Sequence, residues 1–419
     1  MGKKVVIVGG GIIGLCSAYY CTLAGHQVTL IERGTTNHNC CCRGNAGMIV
    51  PSHFVPLAAP GMVAMGLRMM RDPKSPFYIK PRLNLNLADW GMKFIEASTY
   101  ERVSAAAPVL RDLHLASRKL FLDLAKQEGF SFGLKRNGLL MLCRTPTLLS
   151  EETEMGNRAK ALGIPADCLN ADETSKLDPG VDMDVCGSVY FPEDCHLDPA
   201  RLLDSLTSFL IDAGVDFRWE CETSQWVRSS GRIQAVRHGN GEIEGDEFVA
   251  AAGSVSTSLV KSLGIHLPMQ AGKGFSVTLK QPPQLPKICS ILAEARVAVT
   301  PMGQTLRFGG TMEMSGINHD ISPTRIRGIT ESAARYFPAF NSSHFESLEP
   351  WAGLRPCSPD GLPYLGRTTA ATNLVVATGH AMLGLSLGPI TGQSVAQLIN
   401  GESPCVMSPL LSPDRYNGF

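Results

Sequence analysis

Glycines and one carboxylate near the start of the chain form the clearest chemical pattern in the sequence. Residues 9–14 read GGGIIG after the apolar run 5–8, and they open a helical stretch that ends at Gly25; a second apolar run, 28–31, ends at Glu32. Glycines at this spacing allow a tight turn, and the N-terminus of the following helix favours a pyrophosphate. Glu32 is placed to accept hydrogen bonds from a ribose hydroxyl. The pattern predicts a βαβ unit that binds a dinucleotide; the alternative is a glycine-rich turn that binds nothing.

The composition argues against several other classes of function. Among the 419 residues, Lys plus Arg and Asp plus Glu both total 38, and this zero net charge argues against nucleic acid as the main partner. The 13 cysteines contain no C-x-x-C pair, which indicates reduced thiols in a reducing, cytoplasmic compartment and no metal site. We find no apolar run of the length that a transmembrane helix needs, so we expect at most peripheral contact with the inner face of the cell membrane.

Two later apolar segments indicate that the dinucleotide site is assembled from distant parts of the chain. Residues 248–253 and 374–379 each read as a strand that ends in small residues, which lets a ligand approach the backbone closely. We therefore expect an α/β fold, in which a mostly antiparallel sheet with helices is inserted into a discontinuous, Rossmann-like cofactor domain. The expected boundaries place the cofactor domain at residues 1–85, 199–262 and 345–419, and the inserted substrate domain at residues 86–198 and 263–344.

Local patterns give two more detailed expectations. Residues 216–220, 225–227 and 234–237 predict a three-stranded meander. Apolar residues at helical spacing run through residues 87–128, and Pro108 should either divide this stretch into two helices or mark a helix start.

Five motifs occur in an order that resembles a known family. They are residues 5–33, 44–47, 195–202, 353–356 with 360–363, and 378–388. Together they resemble the FAD-dependent D-amino-acid oxidase and dehydrogenase superfamily, which includes glycine and sarcosine oxidases, over essentially the whole chain. The triplet at 45–47, followed by Pro51 and by AAPG at 58–61, is most similar to the bacterial D-amino-acid dehydrogenase branch.

The resemblance implies FAD as the cofactor and assigns binding roles residue by residue. It places Gly9, Gly11, Ile12, Ile13 and Gly14 at the pyrophosphate, Glu32 and Arg33 at the adenosine end, and Asn45, Ala46 and Gly47 along the flavin. It also places Thr223 at the adenine, Ala252 and Gly253 near the phosphates, and Gly379, His380, Gly384, Leu385 and Ser386 in a loop whose N–H groups face the flavin O2. Cys42 stands where the family often has a small hydroxyl residue, and a thiol is a poorer donor to phosphate, so its backbone would have to serve.

For the substrate, the resemblance directs attention to Arg355, whose guanidinium matches a carboxylate with two parallel hydrogen bonds. Gly353 and Pro356 beside it suggest a fixed turn. His53 is a candidate polar wall or proton acceptor for the amine, with a structural histidine as the alternative, and Tyr78 is a candidate lid residue. Met382 stands where glycine and sarcosine oxidases often carry a basic residue, which argues against glycine as the substrate.

The activity that the resemblance implies is oxidative deamination of a D-amino acid, with substrates of the D-proline or hydroxyproline type included. Hydride would pass from Cα to flavin N5, with no obligatory side-chain base, and the imine would hydrolyse to a 2-oxo acid. The electrons would go to a quinone or another carrier. Two alternatives stay open: an amine oxidase of the glycine or sarcosine type that releases hydrogen peroxide, and a non-catalytic FAD-binding subunit.

Overall fold

The computed structural model describes residues 2–36, 40–239, 241–346 and 348–417, and these contain ten α-helices and twenty β-strands. The helices are α1 Ile12–Leu23, α2 Met62–Met69, α3 Leu85–Ala97, α4 Tyr100–Leu124, α5 Pro146–Ala161, α6 Ala171–Leu177, α7 Pro199–Asp212, α8 Ser256–Lys261, α9 Pro323–Tyr336 and α10 Gly388–Asn400. The first ten strands are β1 Lys4–Val8, β2 Gln27–Ile31, β3 Met48–Ile49, β4 Phe77–Ile79, β5 Leu139–Cys143, β6 Asp167–Asn170, β7 Gly187–Phe191, β8 Cys195–His196, β9 Asp216–Arg218 and β10 Thr223–Ser229. The other ten are β11 Arg232–His238, β12 Gly241–Glu244, β13 Glu247–Ala250, β14 Gln270–Leu279, β15 Cys289–Leu292, β16 Val297–Met302, β17 Thr305–Met314, β18 Trp351–Cys357, β19 Tyr364–Thr368 and β20 Ala371–Thr378.

A six-stranded sheet in the order β19-β20-β13-β1-β2-β9 forms the first layer. All neighbours are parallel except the edge strand β19. Strands β1 and β13 are buried along almost their whole length, as expected for a parallel sheet covered on both faces. Helices α1 and α10 pack closely, since a Cβ on Gly392 would lie 2.4 Å from the backbone of Cys16. The sheet is therefore completed by segments that are far apart in sequence.

A nine-stranded sheet forms the second layer, in the order β18-β14-β17-β16-β15-β5-β7-β6, with β4 added beside β17. Its pairs are antiparallel except β5 with β15 and β4 with β17. Helix α9 packs on this sheet, over a core that includes Phe275, Phe308 and Phe337. The two sheets confirm the expected α/β class, in which a parallel cofactor sheet accompanies a mostly antiparallel second sheet.

The sheets divide the chain differently from the expected boundaries at two places. Strands β4 and β18 both pair in the second sheet, although the boundaries at 85 and 345 assign them to the cofactor domain. Strand β18 pairs with β14 along seven residues, from Trp351 to Cys357. A single strand pattern does not reveal its partner, because pairing depends on residues that are distant in sequence.

Two local expectations also need correction. Residues 216–218 extend the parallel sheet beside β2 and are not part of the meander, which consists of β10, β11 and β12. Pro108 lies inside α4 and does not interrupt it. The break occurs at Ser98–Thr99, where the Thr99 hydroxyl accepts a hydrogen bond from the Arg102 N–H and caps α4.

Candidate active site

The turn after β1 has the geometry that the glycine pattern predicts. Gly9 has a φ of +116°, and a Cβ there would lie 2.4 Å from the carbonyl oxygen of Ala251. A Cβ on Gly14 would lie 1.8 Å from the carbonyl oxygen of Gly9. Helix α1 starts without a side-chain cap, so its first-turn N–H groups are left for a ligand. The carboxylate of Glu32 braces the turn by accepting hydrogen bonds from the N–H groups of Gly10 and Gly34, each at 2.8 Å.

A first cavity of about 620 Å³ opens at this turn. Most of the predicted cofactor residues line it: Gly9, Gly11, Ile12, Ile13, Glu32, Arg33, Cys42, Asn45, Thr223, Ala252, Gly253, His380, Gly384 and Leu385. Gly11 faces open space, with nothing within 4 Å of a Cβ placed there. An acid at one end, free helix N–H groups in the middle and small residues along the length fit the adenosine, the pyrophosphate and the extended shape of FAD.

The remaining predicted cofactor residues do not line this cavity. Ala46 faces a second cavity, and Gly14, Gly47, Gly379 and Ser386 lie behind the lining. Gly47 has a φ of +75°, and its N–H donates to the Asn45 side chain at 2.8 Å. Ser386 is buried, and its hydroxyl accepts from the Val50 N–H at 3.1 Å. These residues shape the backbone that the lining residues present.

Residues of the second sheet hold the segment around Asn45 in place. Arg307 Nη1 donates to the carbonyl oxygens of Asn45 at 2.8 Å and Arg43 at 3.3 Å, and Ser276 Oγ donates to the carbonyl oxygen of Gly44 at 2.9 Å. Burial lowers the pKa of the Arg307 guanidinium from its ordinary value. Sequence reasoning missed Arg307 and Ser276, because nothing in their local sequence indicates that β17 and β14 reach this segment.

The second cavity, of about 490 Å³, adjoins the first. Cys41, Asn45, Arg355 and Met382 line both, so these residues mark the junction. The lining of the second cavity is mainly apolar, and its methionines are Met48, Met62, Met65, Met69, Met70, Met141, Met312, Met314 and Met382. Among the described lining residues only Arg296 and Arg355 carry a formal charge. The cavity therefore favours an anionic group beside an arginine and an apolar group elsewhere.

Arg355 lies within strand β18 and not in the turn that its neighbours suggest. Its guanidinium rests over Gly274 of β14, where a Cβ would lie 2.3 Å from Cζ. Nη1 donates to the carbonyl oxygen of Thr311 at 2.5 Å. Thr311 has a φ of +69°, at the point where β17 contains an extra residue relative to β14. Such a conformation is rare for a β-branched residue, and backbone strain of this kind collects at functional sites.

The charge of Arg355 has no carboxylate partner among the described residues. Burial lowers the pKa of its guanidinium, while the nearby thiols of Cys41 and Cys357 act in the opposite direction. An arginine remains charged in proteins, so a desolvated guanidinium without an acid favours an anionic ligand. The bulge at Thr311 and the bare backbone at Gly274 were not predicted, because neither has a local sequence signal.

The structure separates the other predicted substrate residues. His53 lines the second cavity, and burial with the nearby charge of Arg296 lowers its pKa to about 4. Tyr78 does not line this cavity: its neighbours Phe77 and Ile79 do, and its own ring packs 4.9 Å from the guanidinium of Arg325. The structure therefore gives no support to Tyr78 as a lid residue.

His380 lies in the loop between β20 and α10. Its Nε2 is 3.0 Å from Thr391 Oγ1 on α10, while its buried Nδ1 has no hydrogen-bond partner among the described residues. Burial lowers its pKa to about 3, so the ring is neutral. These contacts suit a residue that positions the loop.

Two other kinds of site are absent from the described residues. No helix there combines the length and the apolar character needed to cross a membrane. No group of His, Cys, Asp or Glu side chains there is arranged to hold a metal ion.

Comparisons with known proteins agree with this geometry. The family model described as FAD dependent oxidoreductase matches residues 4–398. D-amino acid dehydrogenase from Helicobacter pylori is 31% identical to this protein over 399 residues, which cover 95% of each chain. D-amino acid dehydrogenase from Rhizorhabdus wittichii is 31% identical over 419 residues, which cover 99% of this chain and 100% of the relative. Among solved structures, glycine oxidase from Geobacillus kaustophilus has the same fold, with a TM-score of 0.79 at 23% identity over 99% of both chains. The protein belongs to the FAD-dependent oxidoreductase family.

Proposed function

We propose that the protein oxidises D-amino acids as a dehydrogenase and passes the electrons to a quinone or another carrier. One observation carries this proposal: the guanidinium of Arg355, without an acidic partner among the described residues, lies at the junction of the cofactor cavity and the apolar cavity. Arg355 would bind the substrate carboxylate, and so hold Cα at the boundary between the two cavities. The relatives named D-amino acid dehydrogenase support this choice of substrate class.

We assign the cofactor roles to the same residues as the sequence analysis. Gly9, Gly11 and Gly253 would border the pyrophosphate, Glu32 would accept from the ribose, and Asn45 would lie beside the flavin. When bound, FAD supplies the two-electron acceptor for the Cα–H bond. The protein supplies position and restricts water: the methionines of the second cavity would surround the side chain of the substrate, which favours apolar or cyclic side chains such as that of D-proline.

The experiment that tests this proposal uses the purified holoenzyme and a panel of D-amino acids that includes D-proline and hydroxyproline, with their L-enantiomers and glycine as controls. We expect reduction of an artificial dye with D-amino acids that carry apolar side chains, and little hydrogen peroxide in air. If hydrogen peroxide forms in an amount equal to the substrate oxidised, the protein is an oxidase of the glycine or sarcosine type and not a dehydrogenase. No bleaching of the flavin by any amine under anaerobic conditions would support a non-catalytic subunit.

We further propose that the mouth of the second cavity contacts anionic lipid on the inner face of the membrane. Leu67 and Ile95 line the cavity and are exposed, and three further exposed apolar residues, Leu83, Leu85 and Met92, lie just before or on the same helix as Ile95, α3. The exposed basic side chains of these segments are Arg68, Arg71, Lys74 and Lys80, and they outnumber the exposed acids Asp72 and Glu96. Apolar side chains with basic neighbours favour the surface of anionic lipid, where a quinone would be within reach.

Co-sedimentation with vesicles tests this contact. We expect binding to vesicles that contain phosphatidylglycerol, weak binding to pure phosphatidylcholine, and loss of binding in the double variant Leu83→Ser/Leu85→Ser. Ile211→Ser is the matched control, since Ile211 is an exposed apolar residue on α7. Equal binding of both variants would rule out this surface as the contact.

A further inference from the structure

Behind the second cavity, a hydrogen-bonded chain of three side chains leads from the cavity wall to a buried carboxylate. His53 lines the cavity, and its Nδ1 is 2.9 Å from Ser52 Oγ. Ser52 Oγ donates to Asp194 Oδ2 at 2.5 Å, and the Ser52 N–H donates to Asp194 Oδ1 at 3.1 Å. Asp194 is completely buried. The short antiparallel pair β3–β8 brings these distant segments together, since Ile49 pairs with Cys195.

The direction of these hydrogen bonds fixes the tautomer of His53. An ionised Asp194 only accepts, so the single hydroxyl proton of Ser52 must point at Asp194. Ser52 Oγ then accepts from His53 Nδ1–H, which leaves His53 Nε2 without a proton. Nε2 has no hydrogen-bond partner among the described residues, and the ring lines the cavity. With Asp194 ionised, the structure therefore presents an acceptor to the substrate.

Protonation of Asp194 reverses every bond in the chain. A protonated Asp194 donates to Ser52 Oγ, Ser52 donates to His53 Nδ1, and the ring proton resides on Nε2. The ring is neutral in both states, which agrees with a histidine whose pKa is lowered to about 4. One proton can therefore travel from the cavity to Asp194 without a lasting imidazolium.

We propose that His53, Ser52 and Asp194 form a proton relay that takes the ammonium proton of the substrate, with His53 as the acceptor at the cavity and Asp194 as the final site. In this step the substrate N–H bond breaks and His53 Nε2–H forms, His53 Nδ1–H passes to Ser52, and the Ser52 hydroxyl proton passes to Asp194. The ammonium and the carboxylate become a neutral amine and a carboxylic acid, and no electrons move. The role rests on the proposed oxidation of amino acids, which needs a neutral amine when the Cα–H bond breaks.

The groups around the relay suit this task. Burial raises the pKa of Asp194 to about 7, and the nearby charge of Glu193 also raises it. The hydrogen bonds from Ser52 and the charge of Arg118 lower this pKa, but they do not outweigh burial. The buried thiols of Cys195 and Cys289 also face Asp194 and stay protonated, because burial raises their pKa. Around His53, the charged or titratable neighbours are Arg296 and His114, and burial lowers the pKa of His114 to about 3. An apolar cavity also disfavours the ammonium form of the substrate, which lowers the cost of the transfer.

Asp194→Asn tests the relay with little change of shape. The Ser52 N–H still needs an acceptor, so the amide oxygen of the new asparagine faces this N–H and its NH2 group donates to Ser52 Oγ. Ser52 then donates to His53 Nδ1, which fixes His53 in the Nε2–H tautomer. We expect kcat/KM near neutral pH to fall about 10²-fold, as for the loss of a general base, with KM changed less than about threefold. The deficit should shrink towards about pH 10, where the free amine forms in solution. Glu193→Gln is the matched control, since it removes a charge beside Asp194 and leaves the chain intact.

Two further measurements separate this role from a structural one. The first is NMR of isotope-labelled histidine in the oxidised holoenzyme without substrate, with the His53 signal assigned from the His53→Gln variant. In the wild type, the ring proton of His53 should move from Nδ1 to Nε2 as the pH falls through about 7, the value to which burial raises the pKa of Asp194. In Asp194→Asn it should stay on Nε2 at every pH. Ser52→Ala should abolish the tautomer change and lower kcat/KM to a similar extent.

A wild-type tautomer that does not change with pH, or an Asp194→Asn deficit that persists at high pH, would overturn the relay. The NMR result does not depend on turnover. Failure of the proposed amino-acid oxidation would instead appear as a wild-type flavin that no amino acid reduces.

Discussion

A single methyl group on Gly274 should disable the carboxylate site by displacing Arg355, although the arginine itself is not replaced. Gly274 has an ordinary strand conformation, so alanine fits its backbone. The new Cβ would lie 2.3 Å from Cζ and Nη2 of Arg355 and 2.4 Å from Nη1. Carbon atoms in contact are normally about 3.5–4.0 Å apart, so the guanidinium has to withdraw by about 1 Å or more. That displacement breaks its bond to the Thr311 carbonyl and misaligns its fork against a carboxylate.

The expected size of the effect follows from the loss of a desolvated charge pair. Truncation of one member of such a pair costs about 2–5 kcal/mol. At about 1.4 kcal/mol for each factor of ten, this corresponds to about 30-fold to about 4,000-fold. A displaced arginine keeps its charge in the cavity, so Gly274→Ala should fall near the lower end, with KM for a D-amino acid raised about 30-fold. The FAD content should stay at the wild-type level, because Gly274 does not line the cofactor cavity.

The assay is steady-state dye reduction, with flavin absorbance and thermal unfolding measured on the same samples. Gly272→Ala is the matched control: it lies two residues away on β14, and the three atoms nearest to its Cβ belong to Met312 and Cys357, with the sulfur atoms at 2.2 Å and 2.8 Å. Its KM should change much less. The double variant Gly274→Ala/Arg355→Ala should have the same KM as Arg355→Ala alone, because the methyl group acts only through the guanidinium. A wild-type KM for Gly274→Ala, or an additive effect in the double variant, would refute the reasoning.

Three other predictions concern the cofactor site and acid stability. Gly14→Ala places a Cβ 1.8 Å from a backbone oxygen, so we expect the free energy of unfolding to fall by about 1–3 kcal/mol and little FAD to stay bound after purification. The Cβ of Gly11→Ala meets nothing within 4 Å, so this apoprotein should keep its stability while it binds FAD about tenfold or more weakly. Equal stability of the two variants would contradict this prediction. Arg307→Ala should weaken FAD binding about tenfold or more in fluorescence titration, because the backbone carbonyls of Arg43 and Asn45 lose their donor. Arg335→Ala, at the exposed end of α9, is the control. Equal FAD affinity of the two variants would argue against this role of Arg307. Four histidines stay neutral in the folded protein and gain protons on unfolding, so the free energy of unfolding should fall as the pH drops below about 6.5, by up to about 1.4 kcal/mol per pH unit for each one. Their pKa values are lowered to about 4 in His53 and His196 and to about 3 in His114 and His380. The raised pKa of Asp194 acts in the opposite direction, because its protonation stabilises the folded protein between about pH 7 and pH 4. A free energy of unfolding in urea that is the same at pH 5 and pH 7 would show that the histidines do not outweigh Asp194.

The parts of the fold that could be predicted from sequence are those that short segments determine. The βαβ unit at 4–31 was predicted because its strands, glycines and helix are consecutive, and Gly9 and Gly14 show contacts that leave no room for a Cβ. The partners of β9 and β18 could not be predicted, because each strand joins a neighbour from a distant part of the chain. Sheet membership is a property of tertiary packing, and a short apolar run is compatible with either sheet.

The candidate site shows the same division. Arg355 was found through the resemblance, but the features that hold it, Gly274 and the bulge at Thr311, have no signature in their own sequence. Asp194 is a surface-type residue in an unremarkable sequence, and only the pairing of β3 with β8 brings it to Ser52. Contacts between residues far apart in sequence supply the site with its geometry and its shifted pKa values.

The order of strands in the parallel sheet has a consequence for synthesis of the protein. Strand β1 is made more than 200 residues before its partner β13 at 247–250, and the next strand, β20, follows only at 371–378. Because a chain emerges from the ribosome N-terminus first, β1 has only β2 beside it while most of the chain is still being translated. The exposed edge of β1 is apolar, so the nascent protein carries an aggregation-prone strand until β13 emerges. The cofactor cradle therefore cannot close, and FAD cannot be captured in its final geometry, until both β13 and β20 have been made.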